Sequence, residues 1–474
     1  EISIMKVLLI YPPHFNMLTT NVPSVVDEET GAYPPIGLLY VASYLIENSH
    51  HEVEVLDTHA ERMSYDRIEE EIRKRKPDLV GIETMTFTLV DAIETARRVK
   101  KVRGGIKVVL GGPHIYLYPE ETMEIPEVDY IVLGEGEKPF CLLLDAIENK
   151  RDFTPIRGIG YRRGGKIHVS MPGDFVSDLD SLPHPRRDLL PLDNYTSILA
   201  RGGRVTTLIS SRGCPFRCVF CDRPHLGKKF RYHSARYVVD EMKMCRDLGI
   251  EEIIFYDDTM TIRRDRVMEI CRLLKEEKVD VMWDVRAHIN TMDEELLKEM
   301  KSAGCIRIHY GVESGNQRIV KKLRKNIDLE RAKEVFRMTR KQGIETLGYF
   351  IIGNPTETED EIKDTIRFSK EIDADYVHIS LMTPFPGTEI YRRGLEQGIF
   401  PEDYWRKFAR KPDSDFTPMF WEENFTAEEL SQWLLKAYRE FYRRPGYLFK
   451  RLLSIKSPKE FYRKAKAGVR LLFQ

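Results

Sequence analysis

Short apolar runs alternate with stretches of helical period along the first 150 residues. The runs Lys6–Tyr11, Glu52–Leu56, Asp78–Glu83, Lys107–Leu110 and Tyr130–Leu133 read as strands. The segments Leu38–Ile46, Tyr65–Lys76 and Leu89–Val99 place apolar residues on one helical face. Strand–helix alternation predicts a parallel, doubly wound sheet, whose ligands lie beyond the carboxyl ends of the strands. The turns at those ends are Tyr11-Pro12-Pro13-His14, Thr84-Met85-Thr86, Gly111-Gly112-Pro113-His114 and Gly134-Glu135-Gly136-Glu137. Residues 151–200 are rich in Gly, Pro, Arg and Asp, and the prolines at 183, 185 and 191 forbid a continuous helix. This stretch reads as a linker carrying a small hairpin over Gly158–Val169.

A second alternating block follows, with strands expected at Val205–Ser210, Glu252–Tyr256, Val281–Val285, Ile306–Gly311, Thr346–Ile351 and Tyr376–Leu381. Helices follow the first five. Capping boxes are expected at Thr291…Glu294, Thr356…Glu359 and Thr426…Glu429, and Ser234 and Gly249 bracket another helix. Six strand–helix units predict a partial (β/α)6 TIM-like barrel. The fold class is therefore α/β: a Rossmann-like domain over 1–150, a linker over 151–200, a partial barrel over 201–395 and a helical C-terminal domain over 396–474 with a basic tail.

Composition narrows the functional classes. The net charge of -1 predicts no nucleic-acid partner. Apolar runs never reach the eighteen residues that a membrane helix needs, so the chain is expected not to be transmembrane. Seven cysteines are an odd number and three of them are clustered. That argues against a disulfide framework and for a reduced, cytoplasmic compartment with a metal site. Cys141, Cys245, Cys271 and Cys305 lie on helix and strand patterns and read as core residues. His309, Tyr310 and Tyr349 fall on barrel strands, where packing is the expected role.

The cluster reads Cys214-Pro-Phe-Arg-Cys218-Val-Phe-Cys221 and follows the first barrel strand. Three thiolates on one tight loop can hold three corners of a cubic iron–sulfur cluster and leave the fourth iron open. A structural zinc site wants four ligands, and no matching second pair lies nearby. The C-x3-C-x2-C spacing, the aromatic Phe220 before the last cysteine and the six-unit barrel resemble the radical S-adenosylmethionine (SAM) superfamily over about residues 200–390. That resemblance implies a [4Fe–4S] cluster on Cys214, Cys218 and Cys221, with SAM chelated at the open iron and an external electron donor. It places Phe220 near the adenine, Asp257 and Asp258 near the SAM amino group, and Glu313 and Ser314 near ribose and methionine polar groups. Arg286 is the candidate partner of the SAM carboxylate.

A doubly wound domain ahead of such a barrel is similar to the cobalamin-binding class of the superfamily. His14 lacks the Asp two residues before it and the Gly three after it that mark a cobalt-ligating histidine, so it reads as a polar loop residue. In this class the dimethylbenzimidazole tail is tucked away from the metal. The resemblance makes Met85, Thr86 and Phe87 candidates for the lower cobalt face, with Gly111, Gly112, Pro113, His114, Gly134, Glu135 and Gly136 as further cobalamin contacts. The activity it implies is C-methylation: a 5′-deoxyadenosyl radical takes hydrogen from an unactivated carbon, and methyl arrives from methylcobalamin. A non-methylating ring cyclase and a hopanoid-type lipid methylase are the alternatives. From Lys436 to Gln474 there are twelve Lys/Arg against two Asp/Glu, interleaved with Tyr438, Phe441 and Tyr442. This segment would suit docking to an acidic protein, as for a glutamine methylase of methyl-coenzyme M reductase, or to anionic lipid. A peptide or protein substrate is the expectation.

Overall fold

The computed structural model describes residues 4–19, 31–201, 203–221 and 226–454. The first sheet has β1 (Lys6–Tyr11), β2 (Glu52–Asp57), β3 (Leu79–Glu83), β4 (Lys107–Gly111) and β5 (Tyr130–Val132), ordered β2-β1-β3-β4-β5 and all parallel. The hairpin β6 (Ile159–Arg163) and β7 (Lys166–Ser170) joins antiparallel beyond β5. The segment read as a linker thus extends the sheet.

Alternation along the strands divides the packing. Leu8, Ile10, Val80, Ile82, Val108 and Leu110 pack with α2 (Tyr65–Arg75) and α3 (Leu89–Val102). Leu9 and Val109 face the other way, with α1 (Ile36–Asn48) and α6 (Glu137–Glu148). Two short helices, α4 (Pro113–Leu117) and α5 (Pro119–Met123), follow β4.

The rest of the linker is a staple. Arg187 is buried, donates to Thr206 Oγ1 and to the Thr207 carbonyl, and pairs with Glu241 at 2.6 Å. Tyr195 donates to Asp57 Oδ2 at 2.7 Å in the first domain.

The second sheet holds six parallel strands in chain order: β8 (Arg204–Leu208), β11 (Ile250–Phe255), β12 (Met282–Ala287), β13 (Cys305–Glu313), β14 (Glu345–Ile352) and β15 (Tyr376–Leu381). This is a curled half-barrel. The pair β9 (Ser211–Arg212) and β10 (Arg231–Tyr232) is a separate two-stranded ribbon. Helices α7 (Ala235–Asp247), α8 (Arg264–Glu276), α9 (Glu294–Ser302), α10 (Gln317–Lys322), α11 (Leu329–Lys341) and α12 (Glu359–Glu371) separate the strands.

Two expected caps are displaced by two residues. Asp293 caps α9 by accepting from Leu296 N, while the Thr291 hydroxyl bonds Thr261. The capping box of α12 is Thr358 with Glu361, because Thr356 sits in a left-handed turn, φ 60°. Ser234 caps α7 and the Thr426/Glu429 box caps α15 as expected.

The last helices are α13 (Glu389–Glu396), α14 (Tyr404–Arg410), α15 (Ala427–Tyr442) and α16 (Pro445–Ser454). Their buried residues divide between the two larger bodies. Trp405, Phe408 and Trp421 join the core of the first domain, while Leu430, Leu434 and Phe441 join that of the half-barrel. Arg406 pairs with Glu121 of α5 at 2.8 Å.

The aromatics read as part of a docking segment face inward instead. The Tyr438 hydroxyl accepts from Ile379 N and donates to Ile379 O, both at 3.0 Å, and Tyr442 accepts from Val377 N at 3.2 Å and donates to Val377 O at 3.0 Å. An edge strand leaves backbone groups that need such partners. The remainder of the basic segment, 455–474, lies outside the described residues.

Candidate cofactor sites at the domain interface

Three features shape the cysteine loop. Gly213 has φ 82°, and a Cβ there would come within 2.4 Å of the Lys229 carbonyl, so the chain crosses its own return strand at a glycine. The β9/β10 ribbon ties the base of the loop. Val219 then anchors its far end, donating to Leu323 O at 3.1 Å and accepting from Ile390 N at 3.0 Å. Between these points Phe216 stacks on His288 with centroids 4.0 Å apart.

Cys214 and Cys218 are half-buried, Cys221 is exposed, and all three are free thiols. Burial pushes the Cys214 thiol up and Cys218 to about 11. Metal binding must therefore displace their protons. Among the described residues the side chains whose ligand atoms converge within 4.8 Å are His50, His51 and Glu148, not the three cysteines. The three sulfurs do not all lie within 4.8 Å of one another. His50 and His51 are no rival: His51 Nδ1 accepts from Met5 N, so Nε2 holds the proton and faces Glu148 at 3.9 Å.

Around the loop the strand ends converge. Glu313 adopts φ 72°, an uncommon conformation for a residue with a side chain, and pairs with half-buried Lys325 at 2.7 Å. Both charges sit over Gly311, where a Cβ would meet Glu313 Oε1 at 2.3 Å and Lys325 Nζ at 2.5 Å. Only a bare backbone leaves room for the two charged ends there. Lys325, whose charge opposes the burial that raises the Cys218 thiol, lies past α10, away from any strand-end motif in the sequence.

The paired aspartates separate. Asp257 accepts from Ser210 N and Ser210 Oγ, both at 2.6 Å, and from Ser211 Oγ, so it pins the strand end. Asp258 faces Cys214, whose thiol it raises, and lines the adjoining cavity. Arg286 stacks on Tyr256 at 4.7 Å and donates to Phe255 O at 3.3 Å. Ser314 turns outward to Thr365 at 3.1 Å, and Phe220 packs half-buried against the joint core. His309 Nδ1 lies 2.9 Å from the Tyr349 hydroxyl inside the barrel, whereas Tyr310 bonds Thr339 in the core. Arg307 closes the barrel floor between Asp284, at 3.1 Å, and Glu345, at 2.9 Å. Cys245, Cys271 and Cys305 are buried and Cys141 is half-buried.

A cavity of about 1270 Å³ opens at the carboxyl ends of the first sheet. Met85, Gly111, Gly112, Pro113, Gly134, Glu135 and Gly136 line it, and Ser211, Arg212, Tyr256 and Asp258 close it from the barrel side. Gly112 has φ 116°, and a Cβ would lie 2.7 Å from Thr84 O. Of the other candidates, Thr86 bonds His114 Nδ1 at 3.1 Å, His114 is buried beside Tyr118, and Phe87 meets Phe385 edge-on at 5.2 Å. None of these three is among the residues that line the cavity, and Phe87 belongs to the domain joint. His14 lines the cavity, stacked on His59 at 3.9 Å, and burial lowers it to about 3.

Arg212, two residues before Cys214, crosses between the sites. Its Nη1 donates to Glu135 at 2.8 Å and its Nη2 to Glu137 at 2.6 Å, all three side chains being buried. Arg231 holds Glu135 as well, at 2.8 Å.

Residues 208–369 match the radical SAM superfamily, and residues 24–144 match the B12 binding domain. An uncharacterized methyltransferase of Pyrococcus horikoshii is 37% identical over 94% of this chain and 95% of its own length. The chain belongs to the cobalamin-dependent radical SAM methyltransferase family. It therefore uses a [4Fe–4S] cluster, SAM and cobalamin. It is also 28% identical to the cytidylyl-2-hydroxyethylphosphonate methyltransferase of Streptomyces wedmorensis, over 86% of each chain. An anaerobic magnesium-protoporphyrin IX monomethyl ester cyclase of Rubrivivax gelatinosus is likewise 28% identical, over 94% of this chain and 78% of the cyclase.

Solved structures share the fold. The methyltransferase TsrM of Kitasatospora setae superposes with TM-score 0.69 at 22% identity, covering 83% of this chain and 76% of that one. The cobalamin-dependent radical enzyme OxsB superposes with TM-score 0.74 at 18% identity, covering 99% and 72%. The residues present fit both cofactors: three thiols on one loop beside the Glu313–Lys325 pair, and a cavity with glycine edges at the strand ends. Among the described residues no helix is long and apolar enough to cross a membrane.

Proposed function

We propose that this family member methylates an unactivated carbon of a peptide or protein side chain. The observation that carries the reading is the cavity, since its two walls come from the two cofactor domains and Asp258 borders both the cavity and the cysteines. Bound there, the cobalamin supplies the methyl group while SAM at the cluster supplies the hydrogen-abstracting chemistry. The protein's part is positional. Cys214, Cys218 and Cys221 hold the iron. Gly311 makes room for the Glu313–Lys325 pair, Glu313 and Asp258 are placed for the polar groups of SAM, and Arg286 for its carboxylate. Ser314 and Asp257 serve as anchors of those turns. Met85, Gly111 and Gly112 meet the corrin. The Arg212 clamp fixes the distance between the two sites, and the shared aromatic core excludes water at the joint.

The peptide substrate follows from the basic C-terminal segment, which would draw an acidic partner in the cytoplasm. The ring-cyclase reading draws on the Rubrivivax gelatinosus relative, which aligns with almost all of this chain.

The test is anaerobic reconstitution with iron, sulfide and hydroxocobalamin. Methyl-deuterated SAM, reductant and fractionated cell extract follow. We expect cobalamin retained by the protein, both 5′-deoxyadenosine and S-adenosylhomocysteine, and deuterium in the protein fraction. Label in lipid would overturn the substrate. 5′-Deoxyadenosine without S-adenosylhomocysteine, with a new ring or incorporated water oxygen, would overturn methylation in favour of cyclisation.

A further inference from the structure

The upper rung of the first sheet reads Asp57, Tyr11, Glu83 and Gly111 across β2, β1, β3 and β4, all on the α1/α6 face. Glu83 lines the cavity, yet its Oε2 is sealed from solvent and has no hydrogen-bond partner. What Glu83 exposes is therefore the rest of its side chain. Gly37, the second residue of α1, leaves space over Oε1: a Cβ there would stand 3.9 Å away. One rung deeper the cavity continues between sheet and helices, walled by Leu9, Gly81, Val109, Val41 and Phe140. These walls are apolar, and Glu83 stands on the rung above them, beside Tyr11.

A carboxylate here would leave one oxygen buried without a donor, which is costly. Its charged neighbour Asp57 adds repulsion, and Tyr11 stands between the two. Burial, reinforced by Asp57, pushes the Glu83 carboxyl up to about 7. With Oε2 sealed, the proton belongs on the oxygen that faces the cavity, so Glu83 offers an O–H donor at the entrance of the apolar slot.

We propose that Glu83 acts as an uncharged acid that donates a hydrogen bond to the free imidazole nitrogen of cobalamin's dimethylbenzimidazole base, and so selects which lower base the protein accepts. The inference rests on cobalamin occupying this cavity. The apolar slot takes the ring, and the one acceptor the ring carries meets the Glu83 O–H.

The test is equilibrium binding to the full-length protein, read by dialysis without turnover. Three ligands are compared: cobalamin, cobinamide, which lacks the base, and a cobamide whose lower base is a phenol ring without an acceptor nitrogen. Wild type is expected to bind the phenolic cobamide about ten-fold more weakly than cobalamin. Glu83→Leu is expected to lose about the same factor for cobalamin and nothing for cobinamide, whereas Glu83→Gln, which can still donate, stays within about two-fold. The phenolic comparison stands on wild-type protein should Glu83→Leu fail to fold. Equal binding of cobalamin and the phenolic cobamide, or an equal loss of cobalamin and cobinamide in Glu83→Leu, overturns the role of Glu83 while leaving cobalamin binding intact. No binding of any corrinoid to wild type overturns the cavity assignment with it.

Discussion

Arg212→Met tests whether the first domain holds the cluster loop in place. Arg212, Glu135 and Glu137 have side chains exposed by only 7%, 6% and 4%. Removing the guanidinium strands their charges unequally. Glu135 keeps Arg231 and the Val176 amide, but Glu137 loses its 2.6 Å partner and retains only the favourable end of α6. Breaking a buried pair from one side costs about 3 to 5 kcal/mol, and the stacking of Arg212 on Tyr40 at 5.0 Å adds about 1 kcal/mol. Glu137→Gln in the same chain removes the stranded charge and should recover about half of the loss. Urea denaturation of the apoprotein gives the stabilities, and iron per chain after anaerobic reconstitution reports the loop. A single-variant loss under about 1 kcal/mol, or no recovery in the double variant, would refute the clamp. Reduced iron in Arg212→Met with unchanged stability would keep a loop role but refute the energetic argument.

Three further outcomes follow from the geometry. Gly311→Ala puts a methyl against the ends of Glu313 and Lys325, which can swing away, so SAM affinity should fall at least ten-fold while the thermal midpoint moves little; calorimetric titration of the reconstituted protein decides it. Trp405→Ala should cost about 3 to 5 kcal/mol, because Trp405 is fully buried at the joint and donates to Pro384 O at 3.0 Å; equilibrium unfolding measures it. Glu357 is buried, and burial lifts its carboxyl from 4.5 to about 7. The folded state then holds one proton more than the unfolded state between those values, so raising the pH from 5 to 8 should destabilise wild type relative to Glu357→Gln by about 1 to 3 kcal/mol. A flat difference across that range would exclude the raised pKa.

Much of this was legible in the chain because it is local. The strands carry alternation or continuous apolar runs, the caps at Ser234 and Thr426 sit beside their helices, and the cysteine spacing is a property of eight residues. The errors share a different cause. Thr291…Glu294 and Thr356…Glu359 satisfy the capping spacing, but Asp293 and Thr358 stand nearer the helix starts and win. Asp257 and Asp258 are indistinguishable as neighbours in sequence, and the turn after β11 sends them to different tasks. Tyr438 and Tyr442 look like exposed aromatics among charges until β15 supplies an edge for them. The partnership of Arg212 with Glu135 spans 77 residues, and that of Glu313 with Lys325 is set by a turn rather than by a motif.

The same contrast explains how the molecule links two cofactor sites. Each site taken alone is a local device, a loop with three thiols or a row of strand ends with glycines. Their relation is non-local, and three sets of contacts fix it. Arg212 binds the base of the cysteine loop to the strand-end acids. Tyr195 and Arg187, from the segment between the domains, reach into one domain each. Trp405, Phe408 and Trp421 return from beyond the barrel to fill the core of the first domain, with Arg406 pinned to Glu121. A hinge between the domains would have to empty that aromatic core into water, at about 25 cal/mol per Å² of apolar surface. Access to the shared cavity must therefore come through local movement at its rim, where Phe15, Met17 and Met85 are exposed, and not through separation of the two domains.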